Sequence, residues 1–158
     1  MTLGFEQHNH DACISGGLEA AESYCEEHGI RLTSSRKQVL GILLESHSAM
    51  GAYEILDRLR ETGQNAQPPV AYRALDFLQE HGFAHKIERL NAFIACASPG
   101  EGHTPAFLIC KECDTVAEAH TALEDGRLGD VANQAGFEIE KTVVEAVGVC
   151  PNCQEADG

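Results

Sequence analysis

Two Cys-x-x-Cys pairs constrain this chain more than any other feature of its sequence. Cys110 and Cys113 enclose Lys-Glu, and Cys150 and Cys153 enclose Pro-Asn. Each pair places two thiolates at one turn, and two such turns complete a tetrahedral four-sulfur shell for zinc, with metal–sulfur distances of about 2.3 Å. The gap between the pairs is longer than in a compact zinc ribbon. A structural zinc here would therefore tie together the start and the end of a whole domain.

A redox-active pair and a disulfide are the alternative interpretations of these cysteines. The N-terminal sequence MTLGFEQHNHDACISGG lacks the basic and apolar regions of a secretory signal, so we expect a chain that is not exported. Two matched pairs in such a chain favour zinc. No apolar run approaches the ~20 residues that span a bilayer. We therefore expect a soluble, cytoplasmic protein without a membrane partner.

The distribution of charge decides whether this acidic chain can bind DNA. Its net charge is -14, and contacts to DNA phosphates need Lys and Arg. The segment from Arg31 to Arg89 nevertheless holds eight basic and seven acidic residues, so nearly all the negative charge lies outside it. DNA binding by this segment is therefore compatible with the composition.

Helical spacing of apolar residues predicts four helices in the first half of the chain, Leu18 to His28, Arg36 to Ser46, Ala52 to Thr62 and Val70 to His81. Thr33-Ser34-Ser35 offers N-cap residues for the second helix, and Pro68-Pro69 suits the entry to the fourth. Phe83 to Ala97 then changes to two extended runs around Arg-Leu-Asn, the pattern of a hairpin. This order predicts a winged-helix DNA-binding domain that, with an N-terminal tail, spans residues 1–97.

A second domain is expected after a linker at residues 98–104, because SPGEGHT is rich in turn formers. Residues 105–158 show strand patterns at Ala106 to Cys110, Thr115 to Ala119, Phe137 to Lys141 and Val143 to Val149, and a helix from about Ala122 to Gln134. We expect a small α/β domain around an antiparallel sheet. The whole chain is thus predicted to be α+β.

The fourth predicted helix carries possible DNA contacts. Its buried side is expected to hold small and aliphatic residues, Ala71, Ala74, Leu75 and Leu78. The 100° step per residue then points Tyr72, Arg73 and Asp76 outward near the N-terminal end, where a recognition helix presents base-reading residues. Arginine suits guanine or a phosphate, and tyrosine a thymine methyl or a phosphate. The alternative interpretation is an ordinary solvated helix face.

A second, looser set of metal ligands is formed by His85, Cys96, His103 and Glu118. No local spacing marks them, and a single histidine or cysteine is more often a packed or solvated residue. Their placement is more informative. His85 and Cys96 lie in the predicted hairpin strands, His103 in the linker and Glu118 in a strand of the second domain, so one metal could bridge both domains.

These motifs, in this order, resemble the ferric uptake regulator family and its zinc uptake regulator branch in particular. RLTSSRKQVLGIL is similar to the family's RxTxQRxxVLxxL signature, and PPVAYRALDFLQEHG to its P-x-TVYRxLxxLxxxG recognition helix. The paired Cys-x-x-Cys motifs follow where the family has them. The resemblance covers roughly Leu18 to Cys153.

The resemblance implies a zinc-responsive repressor that binds operator DNA as a homodimer, joined through its C-terminal domains, at AT-rich palindromes in zinc-uptake promoters. It implies two Zn²⁺ per chain. The structural ion would be held by Cys110, Cys113, Cys150 and Cys153, and the regulatory ion by His85 in GFAHKIE, Cys96 in FIAC, His103 in GEGHT and Glu118 in TVAE. DNA contacts would come from Tyr72 and Arg73, with Arg36 and Lys37 of the first motif.

The sequence departs from the family pattern at three places. Val70 replaces the family's threonine in TVYR and Ser35 replaces a glutamine, so two polar contacts are lost. The histidine cluster of iron sensors is reduced to His103. Cys96 discriminates between metals, because a thiolate with two imidazoles and a carboxylate suits tetrahedral zinc, whereas iron sites favour histidine and carboxylate. Sensing of iron or nickel is kept as an alternative.

An enzyme is excluded more firmly than a zinc-storage protein. Zinc deaminases need His-x-Glu followed by Pro-Cys-x-x-Cys, but this chain has no His-x-Glu, and its proline follows Cys150. A zinc-storage protein or metallochaperone would fit the ligands and the acidic charge without any use for the helices. Absence of zinc-dependent DNA binding would favour that alternative.

Overall fold

The computed structural model describes residues 10–46, 48–63, 65–97, 99, 104–121 and 126–157. The chain forms two compact units that divide between residues 100 and 101. Helices and a two-stranded hairpin make up the first unit, and a three-stranded sheet with two short helices makes up the second, which confirms the α+β class. No helix within the described ranges has both the length and the apolar character needed to cross a bilayer.

The first unit contains four helices, α1 (His10–Glu27), α2 (Ser34–Leu44), α3 (Ala52–Glu61) and α4 (Pro68–Glu80). Helix α2 begins after Thr33, whose hydroxyl accepts a hydrogen bond from the Arg36 N–H at 3.4 Å, as expected of an N-cap residue. Helix α4 begins at a proline, whose missing N–H costs nothing in a first turn. Helix α1 starts well before the predicted Leu18.

The helices enclose one hydrophobic core, to which α1 contributes Ala21 and Cys25. The apolar residues that recur every three or four positions in α2, α3 and α4 are fully buried, chiefly Val39, Leu40, Leu43, Ile55, Leu59, Leu75 and Leu78. Truncating one such leucine to alanine costs about 2–5 kcal/mol of stability. This core fixes which face of α4 is left exposed.

A β-hairpin follows α4, as predicted. Strands β1 (Ala84–Ile87) and β2 (Ala92–Ala95) pair antiparallel, and Asn91 adopts a positive φ of 47° in the turn between them. Met50 and Phe93 exchange two backbone hydrogen bonds of 2.9 and 2.8 Å. These bonds hold the hairpin against the residues that precede α3.

The second unit contains β3 (Thr104–Cys110), β4 (Val116–Thr121), α5 (Arg127–Gln134), β5 (Val144–Gly148) and α6 (Pro151–Ala156). The sheet order is β4-β3-β5. The β3–β4 pair is antiparallel, as expected, and the β3–β5 pair is parallel. Strand β4 ends beside the start of β3, and the connection that contains α5 delivers β5 to that same end of the sheet.

The prediction of a strand from Phe137 to Lys141 was wrong, because these residues form no strand. The segment instead follows the end of α5, where the Phe137 N–H donates to the Ala132 carbonyl at 2.8 Å and so closes the helix. Its apolar side chains stay exposed, Phe137 at 67% and Ile139 at 37%. The start of the helix predicted from Ala122 falls on residues 122–125, which lie outside the described residues.

Candidate metal centre and nucleic-acid interface

The four paired cysteines are positioned by the ends of three elements of the second unit. Cys110 is the last residue of β3, and the turn after it is closed by the Asp114 N–H, which donates to the Cys110 carbonyl at 3.0 Å. Cys150 is the N-cap of α6, and Cys153 lies in its first turn. The Lys111 N–H donates to the Gly148 carbonyl at 2.9 Å and joins the first turn to the end of β5.

The geometry of these cysteines matches a zinc shell. All four Sγ atoms lie within 4.8 Å of one another, and Cys113 Sγ is 3.8 Å from Cys150 Sγ. A tetrahedron with metal–sulfur bonds of about 2.3 Å has sulfur–sulfur edges of about 3.8 Å. The structure thus brings together the two pairs that are far apart in sequence, at a spacing that one zinc ion can fill.

Hydrogen bonds from the backbone favour a thiolate at this centre. The Cys150 N–H donates to Cys110 Sγ at 3.3 Å and, with the N–H groups of Cys113 and Glu112, lowers the pKa of Cys110 to about 6. The hydroxyl of Thr115 lowers the pKa of Cys113. A hydrogen bond with Cys150, burial and the neighbouring sulfurs raise the pKa of Cys153. Without a cation the cluster thus resists full ionisation, and a divalent metal would offset that repulsion.

Two of the looser ligand candidates share one face of the hairpin. His85 in β1 lies opposite Ile94 in β2, and Cys96 follows Ile94 by two positions. Because alternate residues of a strand point to the same side, His85 and Cys96 face the same way. Cys96 is buried, and its N–H donates to the Phe83 carbonyl at 2.9 Å. The hairpin can therefore offer an imidazole and a thiolate together.

Glu118 lies in β4 of the second unit, opposite Phe107 of β3. It is buried, with 9% of its surface exposed, and it is the only charged residue in the described ranges that is buried to this degree. A buried carboxylate needs a partner to offset its desolvation. His103, the fourth candidate, lies outside the described residues.

The outer face of α4 agrees with the helical pattern. Tyr72, Arg73 and Asp76 are exposed, and the expected inner residues are buried, Ala71, Ala74, Leu75 and Leu78. Among the basic residues of α2, α3 and α4, all of them in described segments, Arg73 alone has no side-chain partner. Its guanidinium is available to a nucleic acid.

Arg36 and Lys37, the other candidates for DNA contacts, are engaged within the unit. The Arg36 guanidinium lies 3.8 Å from the ring centroid of Phe77, and it donates to the Arg31 carbonyl at 2.6 Å. Lys37 forms an ion pair with Glu22 of α1. Each would have to exchange these partners for phosphate.

One exposed aromatic residue, Tyr53, was not among the candidates for DNA contacts. It is 69% exposed in the first turn of α3, although the helical pattern predicted it as one of the apolar positions of that helix. The position of Tyr53 around the helix axis could have indicated its exposure. It lies two residues before Ile55, and two steps of 100° place the two side chains 200° apart, with Ile55 in the core. Tyr53 borders an open groove of about 570 Å³, whose other lining residues include Tyr72, Asp76, Gln79, Lys86 and Asn91. Two exposed tyrosines thus border one groove, and Arg73 follows one of them along α4.

Comparisons with known proteins agree with this arrangement. The family model described as the ferric uptake regulator family matches residues 27–147. The zinc uptake regulation protein of Escherichia coli (strain K12) is 38% identical over 141 residues, which cover 89% of this chain and 82% of that protein.

Two solved structures give similar matches. A zinc uptake regulator complexed with zinc and DNA superposes with a TM-score of 0.87 at 37% identity, covering 91% of this chain and 97% of that one. The holo form of XcZur superposes with a TM-score of 0.81 at 38% identity, covering 89% and 98%.

Proposed function

The chain belongs to the ferric uptake regulator family, and from that premise we propose that it is a zinc-responsive transcriptional repressor and not an enzyme. The observation that carries the proposal is the superposition, over 91% of the chain, on a zinc uptake regulator bound to zinc and DNA. We propose that zinc-loaded homodimers bind AT-rich palindromic operators in the promoters of zinc-uptake genes, and that the protein works in the cytoplasm, where its DNA lies.

A structural zinc would be held by Cys110, Cys113, Cys150 and Cys153. Support comes from four sulfurs within 4.8 Å and from N–H groups that favour a thiolate at Cys110. Zinc bound there would cross-link the end of β3 to the start of α6. Metal binding at this position would add to the folding free energy of the second unit, whose three-stranded sheet is small.

The regulatory zinc is proposed at His85, Cys96, His103 and Glu118. Its support is the donor set, because one thiolate, two imidazoles and one carboxylate suit tetrahedral zinc. The shared face of His85 and Cys96 and the burial of Glu118 agree with this role. We further propose that residues 98–104 link a DNA-binding domain at 1–97 to a dimerisation domain at 105–158.

DNA contacts are proposed first for Arg73 and Tyr72. Both are exposed in the N-terminal half of α4, and helices of this kind read the major groove from that half. Tyr53 borders the same groove as Tyr72, and we propose that it contacts a sugar or a thymine methyl. Arg36 and Lys37 would contribute phosphate contacts once DNA replaces their present partners.

The homodimer is supported by apolar exposure in the second unit. Six of the nine large apolar side chains that are exposed in the described residues lie there, Leu128, Val131, Phe137, Ile139, Val143 and Val147. A contiguous apolar patch marks a surface that another protein covers, and we propose that these side chains form such a patch. A two-fold dimer would present two α4 helices to the two half-sites of a palindrome.

A gel-shift titration of a zinc-uptake promoter tests the proposal. Binding should require zinc, disappear with a chelator and return when zinc is restored. Restoration by iron or nickel, but not by zinc at equal free concentration, would replace the proposed metal. Tight zinc binding with no operator binding under any condition would favour a zinc-storage protein instead.

A further inference from the structure

Four positions on α4 are exposed in a pattern that bears on sequence recognition. Pro69, Tyr72, Arg73 and Asp76 are all exposed, and their spacing is i, i+3, i+4, i+7. Four residues with this spacing lie along one face of a helix, and a helix that reads the major groove uses such a set. Asp76 therefore belongs to the same reading face as Arg73, although its charge is opposite.

The carboxylate of Asp76 is not used in any contact that would stabilise the described part of the fold. It forms no ion pair or hydrogen bond with any residue in the described part of the chain. The other charges on the groove are engaged, since Glu54 accepts from the Gly51 N–H at 3.2 Å and Lys86 lies 3.7 Å from Glu88. Asp76 is thus the groove's one unused charged group among the described residues.

The chemistry of a carboxylate limits what it can meet in DNA. It accepts hydrogen bonds and donates none, so phosphates, guanine O6 and N7 and thymine O4 repel it. Exposed amino groups of bases attract it, and the amino group on N4 of cytosine is the usual partner of an aspartate. An acidic residue on this face therefore distinguishes base pairs by attraction at one base and repulsion at others.

We propose that Asp76 is a specificity-determining residue, which accepts a hydrogen bond from the N4 amino group of a cytosine in each operator half-site. It lies three residues beyond Arg73, or about 4.5 Å along the helix axis, so the cytosine is close to the base or phosphate that Arg73 contacts. The inference rests on the proposed function, because it requires that α4 reads DNA.

Selection from an operator library randomised at the half-sites tests the inference, with the zinc-loaded full-length chain as the protein. The parent should prefer cytosine at one position of each half-site, by about 5- to 150-fold over the worst base. Asp76→Ala should lose that preference alone and keep those at other positions. Glu80→Gln is the matched control, since Glu80 is another exposed acid on α4 without a partner in the described residues and does not border the groove.

A probe that carries pyrimidin-2-one in place of the selected cytosine isolates the amino group. The parent should lose affinity for this probe, and Asp76→Ala should bind both probes equally well. An unchanged base preference in Asp76→Ala, or a uniform gain in affinity equal to that of Glu80→Gln, would overturn the inference and leave the repressor function intact. No zinc-dependent operator binding by the parent would instead overturn the proposed function and this inference with it.

Discussion

Arg73 differs from its basic neighbours on α2 and α3 in having nothing within the described residues to bind. We expect Arg73→Ala to weaken operator binding by about 1–3 kcal/mol, with relaxed preference at one position if the side chain reads a base. A filter-binding or anisotropy titration at fixed salt measures the loss. Lys111→Ala, which removes the same charge from an exposed site of the second unit, is the control. Equal losses in the two variants would assign Arg73 to nonspecific electrostatics.

The cysteines are proposed to have different roles, and the zinc content of cysteine variants distinguishes these roles. We expect two zinc ions per chain, one retained through dialysis and one exchangeable. Cys113→Ser should lose the retained ion and the fold of the second unit, because the remaining sulfurs cannot close the shell. Cys96→Ser should keep the retained ion and lose the exchangeable one. Elemental analysis before and after dialysis gives both numbers.

Cys25, which is buried beside α2, serves as the control for these substitutions. Burial raises the pKa of Cys25 and so favours the neutral thiol, whereas a metal ligand must be a thiolate. Cys25→Ala should keep both zinc ions. A parent stoichiometry of one that is the same in Cys96→Ser would remove the regulatory site from the proposal.

At the scale of elements, α1 shows how packing overrides local preference. The pattern of apolar residues predicted a start at Leu18, and a glycine costs about 1 kcal/mol relative to alanine inside a helix. The structure carries the helix through Gly16 and Gly17. A Cβ added at Gly17 would lie 2.6 Å from a terminal methyl of Leu44, whereas one at Gly16 would meet nothing within 4 Å. Gly17 thus lets α1 approach the end of α2 closely.

These two glycines form a matched pair for a stability test. Gly16→Ala should stabilise the protein by about 0.5–1 kcal/mol, because it gains helix propensity at no steric cost. Gly17→Ala should gain less, since Leu44 must leave its rotamer at a cost of about 0.5–1.5 kcal/mol. Urea unfolding measures the difference. Equal gains would mean that α1 does not pack on Leu44 in solution.

For the whole molecule, the exposed apolar side chains of the second unit predict where two copies meet. Val131→Glu places a charge on α5 at a side chain that is 61% exposed in one chain. We expect a shift towards monomer, since burying an unpaired charge in an interface is costly. Analytical ultracentrifugation measures the dissociation constant.

Leu90→Glu provides the control for that experiment, because Leu90 is an exposed apolar residue of the hairpin turn in the first unit. It should leave the dimer unchanged. The Val131→Glu monomer should keep its structural zinc, which lies within one chain, and lose high affinity for the palindrome. A dimer of unaltered stability in Val131→Glu would place the interface elsewhere.

We expect the binding of zinc and the binding of operator DNA to be thermodynamically coupled. A ligand can favour the DNA-binding state only through its preference for that state, and operator DNA must then tighten zinc binding by the same factor. We expect a factor of roughly 5 to 150, or about 1–3 kcal/mol. Zinc titrations with and without operator, and operator titrations with and without zinc, give two independent values that must agree.

Variants of the proposed switch should remove this coupling selectively. Cys96→Ser and His103→Ala should remain folded dimers with structural zinc but bind the operator equally with and without added zinc. If both variants repress as the parent does, with the same zinc dependence, then His85, Cys96, His103 and Glu118 are not the switch.

The sequence by itself determined the features that depend on near neighbours. The period of apolar residues placed α2, α3 and α4, and the change of period after Phe83 placed the hairpin. The spacing within each Cys-x-x-Cys pair was likewise local, and it was sufficient to predict a zinc site that joins the start and the end of the second domain. These features were accessible because helix and strand periodicity and turn chemistry act over a few residues, so the printed order of side chains contains them.

The tertiary structure alone decided which side chains are left available for function. Lys37 is neutralised by Glu22 and Arg58 by Glu45, pairs that lie far apart in sequence, and Arg73 is left without such a partner in the described residues. The parallel pairing of β5 and the exposure of Phe137 were decided in the same way. Contacts between residues that are distant in sequence depend on how the elements pack. A local sequence pattern does not determine which distant residue will lie next to a given side chain.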